Sequence, residues 1–330
     1  MQKSKLIIFL ILFLIVLLLA HHYAIHGVFF QLEDVDNHET VIMFLIGFLF
    51  HLFFFVLNEI KDVTIDKTSQ ALSKKPLVEG SIKLNNAKLV VISSVAIILL
   101  STPIFFFRQS HVLIPISIVA FILGGIYDTY GKRIPHADYF IAAMMFFIAL
   151  YGGYSISYDI GVFPYIIATL AFIQMLINNI IAGLKDVDHD FIAGGKSTPI
   201  RLNVKVDGKQ FIVSKKFISY VSILKIIHTF FIFIPFYIGL IPIINWILTT
   251  IMIMVFLSVF FMMRFLTIKT FDREKIMRYI GFHEMFAFMA IPFLLFPFIG
   301  LITTLFLAAF PVLWLGVFLI IIYGKLMPEI

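Results

Sequence analysis

Asn58-Glu59-Ile60-Lys61-Asp62-Val63-Thr64-Ile65-Asp66 closes a run of almost pure hydrocarbon, Val41 to Leu57. On a helix, Asn58, Asp62 and Asp66 stand at i, i+4 and i+8, so the three share one face, a turn apart. A second acidic group, Asp186-Val187-Asp188-His189-Asp190, follows another apolar run that ends near Ile181. Ionisable side chains at the edge of a membrane helix are energetically unfavourable, which makes each cluster a functional hypothesis.

Composition decides the class. Of 330 residues, 61% are hydrophobic, 13% are charged and 40 are Phe. Soluble domains carry about 25% charged residues. The apolar runs are continuous and long enough for membrane helices of about 20 residues. A transmembrane barrel would instead alternate over segments of about ten. The chain reads as an all-α, polytopic transmembrane helix bundle of nine to ten helices, a single domain over 1–330. Cysteine is absent, which excludes disulfides and thiolate metal sites.

The expected spans are 6–25, 40–58, 88–107, 112–129, 138–157, 161–183, 217–239, 241–264, 281–299 and 302–323. Lys3 and Lys5 ahead of Leu6–Ala20 look like the start of a signal peptide, with cleavage conceivable after Ala20 or Ala24. An uncleaved first span is the reading adopted, because a second follows almost at once. All but two of the 25 Lys and Arg fall at the termini and in the loops after helices 2, 4, 6 and 8. The exceptions are Lys225, inside the seventh helix, and Arg108. The positive-inside rule then puts both termini and all four basic loops in the cytoplasm of an integral, multi-pass protein of the cell membrane. The +6 net charge is a topology signal, and no nucleic-acid partner is expected.

Both acidic clusters share that basic, cytoplasmic face. Oxygen ligands at helix ends suit Mg²⁺, which takes one or two carboxylates and completes its shell with substrate phosphates. Neither Cys nor paired His is present to favour Zn²⁺. Carboxylates alone repel a phosphate; bridging metal ions and Lys or Arg reverse that. A diphosphate head at the mouth and an apolar tail among Phe-rich helices describes a prenyl diphosphate. A calcium loop beginning at Asp186 is rejected, since its sixth and twelfth positions are Phe191 and Ser197 rather than Gly and Glu. His21, His22 and His26 read as interfacial. His283-Glu284 reads as a hydrogen-bonded pair within the bundle, with an acceptor contact as the other possibility.

These residues carry a family resemblance over about 40–205. Asn58-xxx-Asp62-xxx-Asp66 resembles the NxxxDxxxD motif of the UbiA superfamily of membrane prenyltransferases. Lys75-Pro76-Leu77 with Gly80 is similar to its RPLxxG, and Asp186-xxx-Asp190 to its second motif, DxxxD. Tyr127-Asp128-Thr129-Tyr130-Gly131-Lys132-Arg133 is similar to its Tyr…Lys-Arg element. Gly194-Gly195-Lys196-Ser197-Thr198 resembles its GxKST, slightly closer to the hydroxybenzoate branch.

The resemblance implies that Asp62, Asp66, Asp186 and Asp190 are catalytic and hold Mg²⁺. It implies that Asn58, Tyr127, Lys132, Arg133, Asp188, Lys196 and Arg201 serve the substrate. The reaction would be transfer of a prenyl group from a polyprenyl diphosphate to a lipophilic or aromatic acceptor, an aromatic quinone precursor first and a geranylgeranylglyceryl phosphate-type ether lipid second. A cation-coupled transporter is the rival from another class; the carboxylates' place at one face, and unbroken helices around them, count against it. An inactive lipid-binding scaffold would have no need of four retained Asp.

Overall fold

The structure, a computed structural model, describes residues 37–67, 75–131, 134–192 and 194–323. The expected first span, the three histidines at 21–26, Lys132 and Arg133 lie outside the described residues. The helices in chain order are α1 (Asn37–Asp66), α2 (Pro76–Glu79), α3 (Leu84–Phe105), α4 (Ser110–Tyr130), α5 (Asp138–Ile156), α6 (Phe163–Ala182), α7 (Val187–Ile192), α8 (Thr198–Arg201), α9 (Lys215–Tyr237), α10 (Asn245–Leu266) and α11 (Arg273–Tyr323). Between α8 and α9 lies a small antiparallel hairpin, β1 (Lys205–Asp207) and β2 (Gln210–Ile212), with Asp207 opposite Gln210. The hairpin has no apolar run to announce it. It holds together because residue 208, at its turn, is a glycine with φ 56°, and because Phe211 N–H donates to the Lys269 carbonyl at 2.8 Å.

Eight helices among the described residues are long and apolar enough to cross a membrane. Lipid offers no partner to backbone N–H and C=O, so a spanning segment must satisfy them internally, as a helix does. The eighth, α11, has 51 residues and would reach about 77 Å if straight, more than twice the hydrocarbon thickness of about 30 Å. It is broken at Gly300, where φ is 71° and ψ 173°, a conformation open to glycine and unfavourable for residues with a Cβ. The break falls between the expected spans 281–299 and 302–323. The first of these begins earlier than expected, at 273. Asp272 Oδ1 accepts from Lys275 N–H at 2.9 Å, and Arg278 reaches Glu274 at 3.4 Å, so charged residues that read as loop are a capped first turn.

The chain divides into two compact units. One comprises 42–231 with 268–271. Its core joins α1, α3, α4 and α5 through Phe50, Ile98, Leu113, Ala120, Phe121 and Tyr151, all buried. Phe50 and Phe53 pack on Phe121 with ring centroids 5.1 and 4.7 Å apart. A polar contact within this apolar packing is closed on itself, the Thr102 and Tyr151 hydroxyls lying 2.8 Å apart. α4 approaches α1 so closely that a Cβ at Gly124 would fall 1.8 Å from the Phe54 ring. The outward faces stay apolar, with Phe55 61% and Ile104 71% exposed, which fits lipid as the surrounding solvent.

The other unit contains, among the described residues, 232–267 and 272–323. Phe261 of α10 stacks on Phe282 and Phe286 of α11, with centroids at 4.9 and 5.8 Å. His283 is fully buried, ten residues into α11 rather than at a helix start. It pairs with Ser258, whose hydroxyl donates to the His283 carbonyl at 3.0 Å.

Candidate functional site

α1 has 30 residues, about 45 Å at 1.5 Å per residue. It is longer than the hydrocarbon core, so its last two turns stay helical while carrying polar side chains beyond it. That length keeps Asn58 and Asp62 on one face. At the end of α6 the chain tightens into a 3₁₀ turn, Gly183–Asp186, and continues as α7. Gly183 lets this turn meet Pro199, whose Cγ would lie 3.3 Å from a Cβ there. A 3₁₀ stretch within a helix often marks a functional position.

These ends surround a cavity of about 400 Å³ within the first unit, in the size range of small-molecule sites. Asn58 and Asp62 line it from α1, Tyr127 and Asp128 from α4, Asp138 from α5, Asn179 from α6, Asp186 and Asp190 from the second cluster, and Lys196 from the loop beyond. The two acidic motifs, more than a hundred residues apart in sequence, therefore face one space. Asp188 does not line it: two residues from both Asp186 and Asp190, it falls on another side of the helix. Arg201 does not line it either and is exposed at the end of α8. Asp66 ends α1.

Several lining residues escape a reading by motif. Lys61 and Lys185 join Lys196 in the wall, and Asp128 and Asp138 join the other carboxylates. A hydrogen-bonded chain ties four elements together behind them. The Tyr127 hydroxyl donates to Asn179 Oδ1 at 2.8 Å, Asn179 Nδ2 donates to Asp138 Oδ1 at 2.5 Å, and the Thr198 hydroxyl donates to Asp138 Oδ2. Both Asp138 oxygens are thus engaged by the protein. Asp128 Oδ2, in contrast, is buried without a hydrogen-bond partner, and Asp62 and Lys61 are among its charged neighbours. Beside the mouth, Lys75 pairs with Glu59 at 2.9 Å, joining the Lys-Pro-Leu segment to the first motif.

The lining holds five Asp and three Lys. A wall with more carboxylates than ammonium groups repels a bare diphosphate and suits a hard cation. Among the described residues no three acidic or His side chains are gathered closely enough to hold a metal ion. Mg²⁺ asks for less, one or two carboxylates with water and phosphate oxygens filling the rest of its shell. The wall is dominated by carboxylate oxygens, one of them buried and unengaged, and fits such an ion bound together with a phosphorylated substrate.

Comparison with known proteins follows the same line. None of the curated proteins matches the chain in sequence. Among solved structures, a digeranylgeranylglyceryl phosphate synthase is similar at 19% identity with a TM-score of 0.62, over 86% of this chain and 92% of that one. The apo structure of a UbiA homolog from Aeropyrum pernix K1 is similar at 14% identity with a TM-score of 0.60, over 80% of this chain and 90% of that one. At these identities the likeness speaks to the fold, an all-α bundle of membrane helices. The model of the UbiA prenyltransferase family matches residues 22–283, most of the chain and all of both acidic motifs. The protein is an integral membrane prenyltransferase and belongs to the UbiA prenyltransferase family.

Proposed function

We propose that the protein binds a polyprenyl diphosphate with Mg²⁺ at the cytoplasmic mouth of the bundle and transfers its prenyl group to an acceptor within the membrane. The observation that carries this reading is the convergence of Asp62, Asp186 and Asp190 with Lys61, Lys185 and Lys196 on one cavity. Asp62, Asp66, Asp186 and Asp190 would hold the ions. When bound, Mg²⁺ neutralises the diphosphate and stabilises it as a leaving group.

The chain's own residues supply the rest. The three lysines donate to phosphate oxygens, and Asn58 adds an amide one turn from Asp62. Tyr127 is held by Asn179 at 2.8 Å, so its ring stands fixed in the wall where the first isoprene unit would lie. Beside it, apolar side chains of the surrounding helices would exclude water from the tail. Aromatic faces there attract the allylic cation left by C–O cleavage. The acceptor's carbon or oxygen then bonds to that cation and releases its proton.

An aromatic quinone precursor is the first acceptor reading, supported by the Gly-Lys-Ser-Thr sequence at 195–198. A geranylgeranylglyceryl phosphate-type lipid is the second, supported by the structural likeness to a digeranylgeranylglyceryl phosphate synthase over most of both chains. The test is diphosphate release by purified protein given geranylgeranyl diphosphate and each acceptor, with and without Mg²⁺, products identified by mass spectrometry. Mg²⁺-dependent release coupled to one acceptor is expected. Failure to bind the diphosphate at all would sink the reading.

A further inference from the structure

The loop after the second acidic motif carries two adjacent hydroxyls with opposite surroundings. Thr198 is 2% exposed and its hydroxyl is held by Asp138. On one side, Gly195 N–H donates to the Asp190 carbonyl at 2.7 Å, and a Cβ at Gly195 would meet that oxygen at 2.9 Å. On the other, Pro199 is buried against Gly183. The loop is therefore pinned before and after Ser197, and Ser197 is the member of the set left unengaged.

Ser197 stands at the cap position before α8, with φ −57° and ψ 151°. A serine there usually turns its oxygen onto the N–H of the second or third helical residue. The second residue here is Pro199, which has no N–H, and Ser197 makes no cap bond. Its Oγ is instead buried without a hydrogen-bond partner, in the wall of the cavity that Asp186, Asp190 and Lys196 also line. Buried hydroxyls in folded proteins are nearly always satisfied. A ligand rich in acceptor oxygens, next to a lysine, satisfies this one.

We propose that Ser197 is a binding residue for the diphosphate of the prenyl donor, its hydroxyl donating to a phosphate oxygen, and that Asp138, acting through Thr198, is the positioning residue that holds it there. This rests on the prenyl diphosphate reading above. The cavity's carboxylates then divide between two roles, because Asp138 has both oxygens committed to Asn179 and Thr198 and shapes the site rather than binding an ion.

The experiment measures binding of geranylgeranyl diphosphate with Mg²⁺ by calorimetry, on the full chain in detergent, alongside the thermal unfolding midpoint. Ser197→Ala is expected to bind about tenfold more weakly, the loss of one hydrogen bond to a charged group, with its midpoint unchanged. Ser197→Thr restores most of the affinity. Thr198→Val, or Thr198→Ala where that variant does not fold, removes the tie from Asp138 to the loop without touching the Asp138–Asn179–Tyr127 chain, and weakens diphosphate binding while leaving acceptor affinity near wild type. Combined with Ser197→Ala it weakens binding no further, because both changes remove one contact. Wild-type affinity in Ser197→Ala overturns the binding role, and fully additive losses overturn the link to Asp138. A wild-type protein that does not bind the diphosphate overturns the underlying reading itself.

Discussion

At the residue scale, the site is a question of which side chains reach one cavity. Asp62→Ala and Asp190→Ala each remove a carboxylate from the wall, and turnover is expected to fall by about 100-fold or more, the scale of losing a main stabiliser of charge in the transition state. Asp188→Ala, two residues from Asp190 but off the cavity, is expected to keep activity within a few-fold of wild type. Steady-state diphosphate release in matched detergent preparations checks the pair, and equal losses in Asp188→Ala and Asp190→Ala would refute the assignment by face. Asp186 and Asp190 are legible from sequence because i and i+4 share a helix face. Asp138 and Asn179 are not, since neither belongs to a spaced motif; only the fold carries Asp138 of α5 to within 2.5 Å of Asn179 of α6.

At the element scale, two glycines do different work. Gly124 has ordinary helical surroundings but no room, with the Phe54 ring where a Cβ would sit. Gly124→Val is expected to lower stability by about 1–3 kcal/mol through overpacking, read as a drop in unfolding midpoint. Phe54→Ala in the same chain should recover part of the drop, and no recovery would show that the contact is not the cause. Gly300 has room, with no atom within 4 Å of a built Cβ, but φ of +71°. Gly300→Ala is expected to lose about 1 kcal/mol for conformational reasons alone, and no other single side-chain change should rescue it. Sequence anticipates the break near 300, since one apolar stretch cannot cross the bilayer twice as a straight helix. It does not anticipate the early start of α11, where a local Asp272 cap outweighs the polarity of Arg273–Arg278.

At the scale of the whole molecule, topology follows from charge. The cytoplasmic reading of the even loops predicts that Lys209→Cys, in the hairpin, and Arg108→Cys, between α3 and α4, lie on opposite sides of the membrane. The protein has no native cysteine, so each variant reports alone. In intact cells a membrane-impermeant maleimide is expected to label Arg108→Cys and to reach Lys209→Cys only after lysis. The reverse pattern would invert the orientation and move the cavity to the outside.

Hydropathy and helical spacing determined the membrane class, the placement of the eight described helices long enough to cross the bilayer, and which face of α1 bears Asn58 and Asp62. These are properties of one segment at a time: apolar length against bilayer thickness, and the 3.6-residue turn. Only the tertiary structure decided that α1, α4, α5 and the α6–α8 region close around a single cavity. Only it added Lys61, Lys185, Asp128 and Asp138 to the wall, left Asp188 and Arg201 off it, and buried the Ser197 hydroxyl there without a partner. Such facts depend on contacts between residues far apart in the chain, and they are set by how the helices pack rather than by what any one helix is made of.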